Sequence, residues 1–309
     1  MQWFQGVPSF DFMRYRRAAL IASAVLTLVS LLSFAVRGLN LGIDFTGGVI
    51  VEASYPREAD LEAIRTQLAA AGYESAQVQT FGSVTDVLIR LPPSEEADVS
   101  LIREEIVGNL RAQDPQVVVD SVAAVDSQVG EDLTEQGGLA LMFAMIMIFI
   151  YVVLRFRWKL ALGAIVATAH DVIVTVGIFS VLGLQFDLTV LGSVLAVLGY
   201  SLNDTIVVYD RIRDNFRTVR RGTPEAIINV SINQTLARTL VTGVTTLLVL
   251  TALLAFAGET LFGFSITLII GIIIGTYSSI YIGSAMALLL KLTPADLAPV
   301  RREEIDELP

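Results

Sequence analysis

The sequence predicts a polytopic α-helical membrane protein with six transmembrane helices and a ferredoxin-like βαββαβ extracytoplasmic domain after the first helix. The 309 residues are 54% hydrophobic, with a mean hydropathy of +0.66, which is more apolar than a typical soluble domain. Several apolar runs are long enough to cross a hydrocarbon core of about 30 Å. A long acidic segment separates the first run from the others. Together these observations indicate a membrane bundle with one large external domain.

The apolar runs place the helices at residues 18–36, 136–154, 160–182, 187–209, 236–257 and 264–290. The first run follows three arginines, as in a signal peptide, but it is longer than a usual signal core and has no small-residue cleavage pattern before Asn40. We therefore expect it to be retained. The predicted divisions are a cytoplasmic segment 1–17, a helix 18–37, an external domain 38–133, helices two to six within 134–290 and a cytoplasmic tail 291–309.

The basic residues predict the orientation. They cluster before span one, between spans two and three, between spans four and five, and after span six, whereas the other short loops have neither Lys nor Arg. Basic loops stay in the cytoplasm. We therefore expect both termini in the cytoplasm and residues 38–133 outside it.

The external segment has a readable element order. A strand at 49–55 precedes an amphipathic helix at 58–72, which Gly72 ends. Two alternating runs at 76–81 and 84–91 are joined by a Gly-Ser turn. A second helix at 95–112 and a strand at 116–125 complete the ferredoxin-like order. No phosphate loop or catalytic cluster occurs in this segment. We therefore expect the domain to bind or to do mechanical work rather than to catalyse a reaction.

Charge and composition exclude several function classes. Residues 38–133 contain 17 acidic and 5 basic residues, which argues against a nucleic-acid partner. The chain has no cysteine and one histidine, so neither disulfides nor a His-cluster metal site is expected. The sequence has no P-loop, no Gly-x-Gly-Asp motif and no Ser–His protease pair. We expect no metal, no cofactor and no enzymatic activity.

Two charged residues lie inside the predicted membrane region. Asp204 precedes the end of span four by about six residues, or roughly 9 Å of depth. Arg238 enters from the same side, a few residues into span five, at a similar depth. Charges at this depth are costly unless they are paired or hydrated. The two residues could therefore compensate each other or flank a water-filled path.

A second polar pair, His170 and Asp171, lies near the predicted midplane of span three. Adjacent helical residues point about 100° apart, so only one of the pair is expected to face a given groove fully. Other hydrogen-bonding side chains occur at the cytoplasmic ends of spans four and five: Asn203, Thr205, Asn233, Gln234 and Thr235. These groups are either interhelical packing contacts or parts of a proton or ion path. We favour packing for the isolated Asn and Thr residues, and a path for Asp204, Arg238 and Asp171.

Span six contains a repeat of small residues at four-residue spacing: Gly271, Gly275, Ser279 and Gly283. Small residues on one helix face allow close backbone approach in membranes. This face predicts packing within the chain, with a contact to a partner subunit as the alternative.

Five stretches carry a family resemblance: 42-GIDFTGG-48, 170-HDV-172, 199-GYSLNDTIVVYDRIRDN-215, 222-GTP-224 and 233-NQTLARTL-240. In this order they resemble the SecF branch of the SecD/SecF family of protein translocase accessory subunits, within the resistance–nodulation–division (RND) superfamily. The resemblance covers nearly the whole chain. It implies a multi-pass protein of the bacterial inner membrane.

The resemblance also implies a function and partners. Proteins of this kind pair with SecD, associate with SecYEG and YajC, and use the proton-motive force to promote late translocation of unfolded preproteins. Asp204 and Arg238 match the functional membrane charges of the family, and Asp171 matches its His-Asp motif. The coupling ion would be the proton, with no other cofactor. The stretch with Gly42, Asp44, Gly47 and Gly48 would shape the junction between membrane and external domain.

Two other functions remain open at this point. One is a stand-alone RND-type exporter of small molecules or lipids, although about 95 external residues are few for a substrate pocket. The other is a non-transporting scaffold for membrane-protein assembly, in which the buried polar groups only pack helices. The scaffold predicts that neutralising Asp204 leaves function intact.

Overall fold

The structure is a computed structural model that describes residues 9–81, 83–91, 99–125, 127–219, 222–257 and 261–297. The helices are α1 Arg16–Val36, α2 Ile43–Thr46, α3 Leu61–Ala70, α4 Val99–Gln113, α5 Ser127–Arg155, α6 Trp158–Leu182, α7 Leu188–Thr218, α8 Pro224–Phe256, α9 Phe262–Ser278 and α10 Ser284–Leu289. The strands are β1 Asn40–Leu41, β2 Gly48–Ser54, β3 Gln77–Phe81, β4 Ser83–Leu91, β5 Val118–Val125 and β6 Gln185–Phe186. A π-helical turn, Ser279–Gly283, joins α9 to α10.

In the part of the chain that the structure describes, six helical segments are long and apolar enough to cross a membrane, as the sequence predicts. They are α1, α5, α6, α7, α8 and the continuous run from α9 to α10. About half of the most apolar part of α6, α7 and the α9–α10 run is buried, against 11–17% in α1, α5 and α8. The bundle therefore has three inner and three outer helices.

Helices α7 and α8 extend well beyond their predicted spans, as does α5, which begins at Ser127 instead of 136. Span four was expected to end near residue 209, but α7 continues to Thr218, and α8 starts at Pro224 instead of 236. The extensions of α7 and α8 are amphipathic: Ile212 and Phe216 share an apolar cluster with Ile228. Hydropathy alone ends a helix where polar residues begin, so it underestimated the length of all three helices.

The external domain contains a four-stranded antiparallel sheet in the order β3-β4-β2-β5. Its element order, β-α-β-β-α-β, agrees with the predicted ferredoxin-like arrangement. Ile64 and Leu68 of α3 and Ile106 of α4 are buried in one cluster with Val51 and Ile89 of the sheet. Both helices therefore pack against the same face of the sheet, as is typical of an antiparallel sheet with one covered face.

Some predicted bounds in this domain shift by a few residues. The first helix begins at residue 61, because the Asp60 side chain accepts a 3.1 Å hydrogen bond from the Ala63 N–H and so acts as the N-cap. The last strand begins at Val118, since the N–H of Val117 bonds to the Asp114 carbonyl in a turn. Gly82 of the predicted turn, residues 95–98 of the second helix and the tail from 298 lie outside the described residues.

A short parallel pairing of β1 with β6 joins the start of the external domain to the loop between α6 and α7. The N–H of Gly42 extends this pairing through a 2.9 Å bond to the Phe186 carbonyl. This contact is not predictable from the sequence, because two-residue strands carry no periodic signal. It attaches the external domain to the N-terminal end of α7.

Candidate functional site

The side chain of Asp204 is buried within α7. It is 2% exposed, and its Oδ2 atom has no hydrogen-bond partner. Asp204 lies on the inward face of the helix, one turn after the buried Ser201. An unsatisfied carboxyl oxygen inside a membrane bundle is costly. Asp204 therefore keeps an acceptor atom available for a proton or a water molecule.

Arg238 lies on α8, near enough for its positive charge to act on the Asp204 carboxylate. The two residues do not form a direct ion pair, so Arg238 compensates the Asp204 charge only over a longer distance. The reason is orientation: α7 presents Asp204 inward, whereas α8 presents Arg238 on the exposed outside of the bundle. The alternative, a hydrated path beside both residues, stays a prediction.

Asp171 is the centre of a polar cluster that joins the three inner helices. Its carboxylate, 1% exposed, accepts bonds from His170 Nδ1 at 3.0 Å and from Ser278 Oγ at 2.7 Å. Ser201 of α7 donates a further bond to the same carboxylate. Asp171 is therefore well satisfied, in contrast to Asp204.

His170 and Asp171 contact each other inside the bundle. Both side chains are buried, because the His170 ring turns back and places Nδ1 against the neighbouring carboxylate. The other ring nitrogen, Nε2, is buried with no partner. His170 thus has one nitrogen engaged and one free next to the Asp171 cluster.

The predicted supporting residues are not gathered around Asp204. Thr205 is the exception: it is buried beside Asp204, and its hydroxyl lies 2.9 Å from Ser279 Oγ of the π turn. Asn203 is exposed on the opposite side of α7. The Gln234 side chain accepts a 2.8 Å bond from Asn215 at the end of the α7–α8 hairpin. The Thr235 hydroxyl bonds to carbonyls of its own helix.

Asn233 contacts the backbone of the segment before α1 rather than Asp204. Its Oδ1 accepts a 2.9 Å bond from the Phe10 N–H, and its Nδ2 donates a 2.8 Å bond to the Phe10 carbonyl. One turn earlier, Asn229 accepts a 2.8 Å bond from the Phe12 N–H. The two asparagines therefore fasten the segment before α1 to α8.

Two further residues belong to the site but were not predicted from the sequence: Ser201 and Ser278. Both hydroxyls bind Asp171. Each had a detectable signal: Ser201 precedes Asp204 by three residues, which places it on the same helix face, and Ser278 adjoins the small-residue repeat of span six. Serines are common in apolar helices, so the spacing alone did not single them out.

The small-residue repeat packs against α7 within the chain. A Cβ added to Gly271 would collide with Val197, and one added to Gly275 would lie 3.0 Å from the Ser201 Cβ. Absence of side chains at these glycines lets α9 approach α7 closely. This approach places Ser278 within reach of Asp171, and it assigns these positions to internal packing.

The junction motif surrounds the N-terminus of α7. The Asp44 carboxylate accepts a 3.0 Å bond from the Leu188 N–H, which is a favourable position for a negative charge. Gly47 and Gly48 have φ angles of +74° and +138°, and a Cβ on Gly48 would collide with the Leu91 carbonyl. Glycine is required here because the backbone adopts a conformation that L side chains rarely reach.

Within the described residues, no group of three or more His, Asp and Glu side chains is arranged to hold a metal ion. The arrangement instead offers a buried carboxyl with a free oxygen, a second carboxylate fixed by three donors, and an arginine on the outer surface. These groups can exchange or hold a proton. They include no nucleophile–base pair of a hydrolase.

Two protein-family models match the chain. Residues 106–293 match the model "Protein export membrane protein SecD/SecF, C-terminal", and residues 32–55 match the "SecD/SecF GG Motif". The chain belongs to the SecD/SecF family. The resemblance found in the sequence is thereby confirmed.

Relatives within the SecD/SecF family cover the chain almost completely. It is 45% identical over 304 residues to the protein translocase subunit SecF of Pseudomonas aeruginosa, covering 98% of this chain and 99% of the relative. It is 44% identical to SecF of Vibrio alginolyticus over 100% of this chain and 99% of that one. Both relatives are named as subunits of a protein translocase.

The crystal structure of SecDF from Thermus thermophilus, described as a translocon-associated membrane protein, has a similar fold. It matches with a TM-score of 0.79 and 34% identity over 92% of this chain. A structure of SecDF in a super-membrane-facing form gives a TM-score of 0.74 over 94% of this chain. The chain spans only 39% and 40% of these two SecDF chains.

Proposed function

We propose that this chain is the SecF half of a SecD–SecF assembly of the bacterial inner membrane, which uses the proton-motive force to promote late steps of preprotein translocation through SecYEG. SecD supplies the other half, YajC associates with the pair, and the proton is the coupling ion. Both termini lie in the cytoplasm, and residues 38–133 lie outside it. The family membership and the SecDF likeness support the assembly.

The observation that carries the proton step is the free Oδ2 atom of the buried Asp204. A structural carboxylate is expected to be fully bonded, as Asp171 is. A carboxyl that alternates between charged and neutral forms needs an acceptor that a proton can reach. Asp204 meets this requirement, and Asp171 holds the inner helices around it.

The position of Arg238 supports the proposed partner. Its charged side chain is exposed on the outer surface of α8 in this chain alone. A guanidinium facing lipid costs several kcal/mol or requires deformation of the bilayer. Contact with a second subunit would cover it, and Asn203 on the exposed side of α7 offers a further polar contact. SecD is the partner that the family implies.

Helix α7 provides a route from the proton site to the external domain. Its 31 residues extend about 46 Å, from Asp187, which caps its N-terminus, past Asp204 to Thr218. The junction motif is bonded to its N-terminal end through Asp44. A charge moved across 100 mV releases about 2.3 kcal/mol. A small shift of α7 on protonation would therefore move the external domain.

The test is preprotein release that depends on a proton gradient, measured in membrane vesicles containing this chain, SecD and SecYEG. Asp204→Asn and Arg238→Met should assemble normally and lose the gradient-dependent step. The matched control is Asp210→Asn, which removes a carboxylate on the same helix that pairs with Arg155 at 2.8 Å. It should retain the step.

Two outcomes would contradict the proposal. If Asp204→Asn releases preprotein as well as the unmodified chain, the buried polar groups only pack helices, as in the scaffold alternative. If the gradient-dependent step persists without SecYEG and acts on small molecules or lipids, the exporter alternative is correct.

A further inference from the structure

A cavity of about 650 Å³ lies at the end of the bundle that carries the basic clusters. It is bounded by the start of α1, the start of α8 and the end of α10. It is separate from Asp204 and Asp171, and it is not used in the proposed proton step. Its walls combine an apolar part with several charged side chains.

The apolar part of the wall is formed by Leu20 of α1 and by Ala285, Leu288 and Leu289 of α10. Leu289 is 64% exposed. The cavity is therefore continuous with the apolar outer surface of two membrane-spanning segments. A ligand with a hydrocarbon chain could lie along this surface, whereas a small soluble anion would leave it uncovered.

The charged part of the wall has an excess of positive charge. Three basic residues, Arg16, Arg17 and Lys291, line the cavity against one acid, Glu225. Arg16 is paired with Glu225 at 2.5 Å. The side chains of Arg17 and Lys291 are exposed and form no ion pair with the described part of the chain. Two cations are thus available to an anionic ligand.

Lys291 occupies an unusual backbone position. Its φ angle is +51°, and it is the single non-glycine residue with positive φ among the described residues. Bonds from the Leu292 N–H to the Ala287 carbonyl, at 3.0 Å, and from the Lys291 N–H to the Leu288 carbonyl, at 2.9 Å, form a Schellman motif. Glycine is the usual residue at this position. The chain thus has a lysine in a strained backbone conformation at a position where its side chain borders the cavity.

We propose that this cavity binds an anionic phospholipid, with its phosphate between Arg17 and Lys291 and an acyl chain along Leu20 and Leu288. The excess of positive charge favours an anionic headgroup. The apolar wall favours a lipid over a soluble anion. Basic pockets between transmembrane helices are a known form of anionic headgroup site. The bound lipid would fix the start of α1 against the end of α10.

The experiment uses the full chain purified with its SecD partner in a neutral detergent. Dioleoylphosphatidylglycerol or dioleoylphosphatidylcholine is added, and bound lipid is counted by native mass spectrometry. Each basic side chain near an anionic lipid is worth roughly fivefold in affinity. Arg17→Gln should therefore weaken phosphatidylglycerol binding roughly fivefold, and Arg17→Gln combined with Lys291→Gln roughly 30-fold. Phosphatidylcholine has the same phosphate, but its choline cation offsets the charge, so its binding should weaken much less.

Two variants separate lipid binding from helix capping and from general surface charge. Lys291→Gly removes the cation and relieves the strained backbone, so the protein should fold normally and bind phosphatidylglycerol less. Arg211→Gln removes an exposed arginine of α7 that does not line the cavity, and it should bind lipid normally. Unchanged phosphatidylglycerol binding by Lys291→Gly would overturn the proposal, because the lysine would then serve only the helix end. Equal losses in Arg17→Gln and Arg211→Gln would also overturn it.

Discussion

The hydroxyl of Ser278 donates a 2.7 Å hydrogen bond to the carboxylate of Asp171, which joins α9 to α6 inside the bundle. Because Ser201 of α7 bonds to the same carboxylate, one side chain holds all three inner helices. Asp204 lies nearby on α7 with an oxygen that no group satisfies. The site thus combines the Asp171 carboxylate, which is held by hydrogen bonds, with the Asp204 carboxyl, which has an oxygen without a hydrogen-bond partner.

Removal of the Ser278 hydroxyl should destabilise the bundle. We expect Ser278→Ala to lower the free energy of unfolding by about 1 kcal/mol, because interhelical hydrogen bonds in membranes contribute about this much. Thermal unfolding in detergent measures the change. Ser265→Ala is the matched control: Ser265 is buried in the same helix, and its hydroxyl has no partner. Equal effects of the two substitutions would show that the bond to Asp171 contributes nothing.

A side chain at Gly48 should disturb the external sheet. We expect Gly48→Ala to cost about 2 kcal/mol or more, because the φ angle of +138° is strained for alanine and the Cβ would collide with the Leu91 carbonyl. Hydrogen exchange of the strand amides at 48–54 and 83–91 should accelerate. Gly108→Ala in α4, where a Cβ meets nothing within 4 Å, should leave exchange unchanged or slower.

The pair between Lys159 and Asp296 should make stability depend on acid pH. Bonds from Lys159 Nζ at 2.7 Å, and then from Thr293, lower the pKa of Asp296 from 3.8 to about 2. A carboxyl with a lowered pKa in the folded state stabilises the fold above its unfolded pKa, and this contribution disappears as the pH falls through the folded value.

We therefore expect Asp296→Asn to reduce stability by about 1 kcal/mol at neutral pH, the upper range for partly exposed pairs. The difference from the unmodified protein should shrink between pH 4 and pH 2. Asp214→Asn, an exposed carboxylate on α7, is the control and should show no such trend. A difference that stays constant down to pH 2 would contradict the role of this ion pair.

The absence of cysteine allows a direct test of orientation. A cysteine replacing Glu104, exposed on α4, should react with a membrane-impermeant maleimide in intact spheroplasts. One replacing Thr218, exposed at the end of α7, should react only after the membrane is disrupted. The opposite pattern would reverse the proposed orientation.

The sequence predicted the features that depend on local pattern. The six spans follow from hydropathy, and the external element order follows from alternation and turn residues. Asp204 was identifiable because an acid within an apolar run is conspicuous whichever way the helix is rotated. Its buried, partly unsatisfied state is consistent with that reasoning.

Features that depend on helix rotation or distant contacts were not predictable in this way. Depth correctly brought Arg238 near enough to act on the charge of Asp204, but depth does not tell which face of α8 packs inward. Asn203 adjoins Asp204 in sequence and lies on the other side of the helix, since successive residues are about 100° apart. Asn233 binds the backbone of Phe10, which is 223 residues away.

The π turn at Ser279–Gly283 changes the direction in which the residues after it point around the helix axis. In a regular α-helix a four-residue repeat drifts by about 40° per step around the axis. Gly275 nevertheless packs on Ser201, and Gly283 lies against Tyr209 of the same helix, two turns further along. A π turn winds by a smaller angle per residue than an α-helix, so it offsets part of this drift. A single irregular turn therefore keeps the glycines on both sides of it directed at the same neighbouring helix.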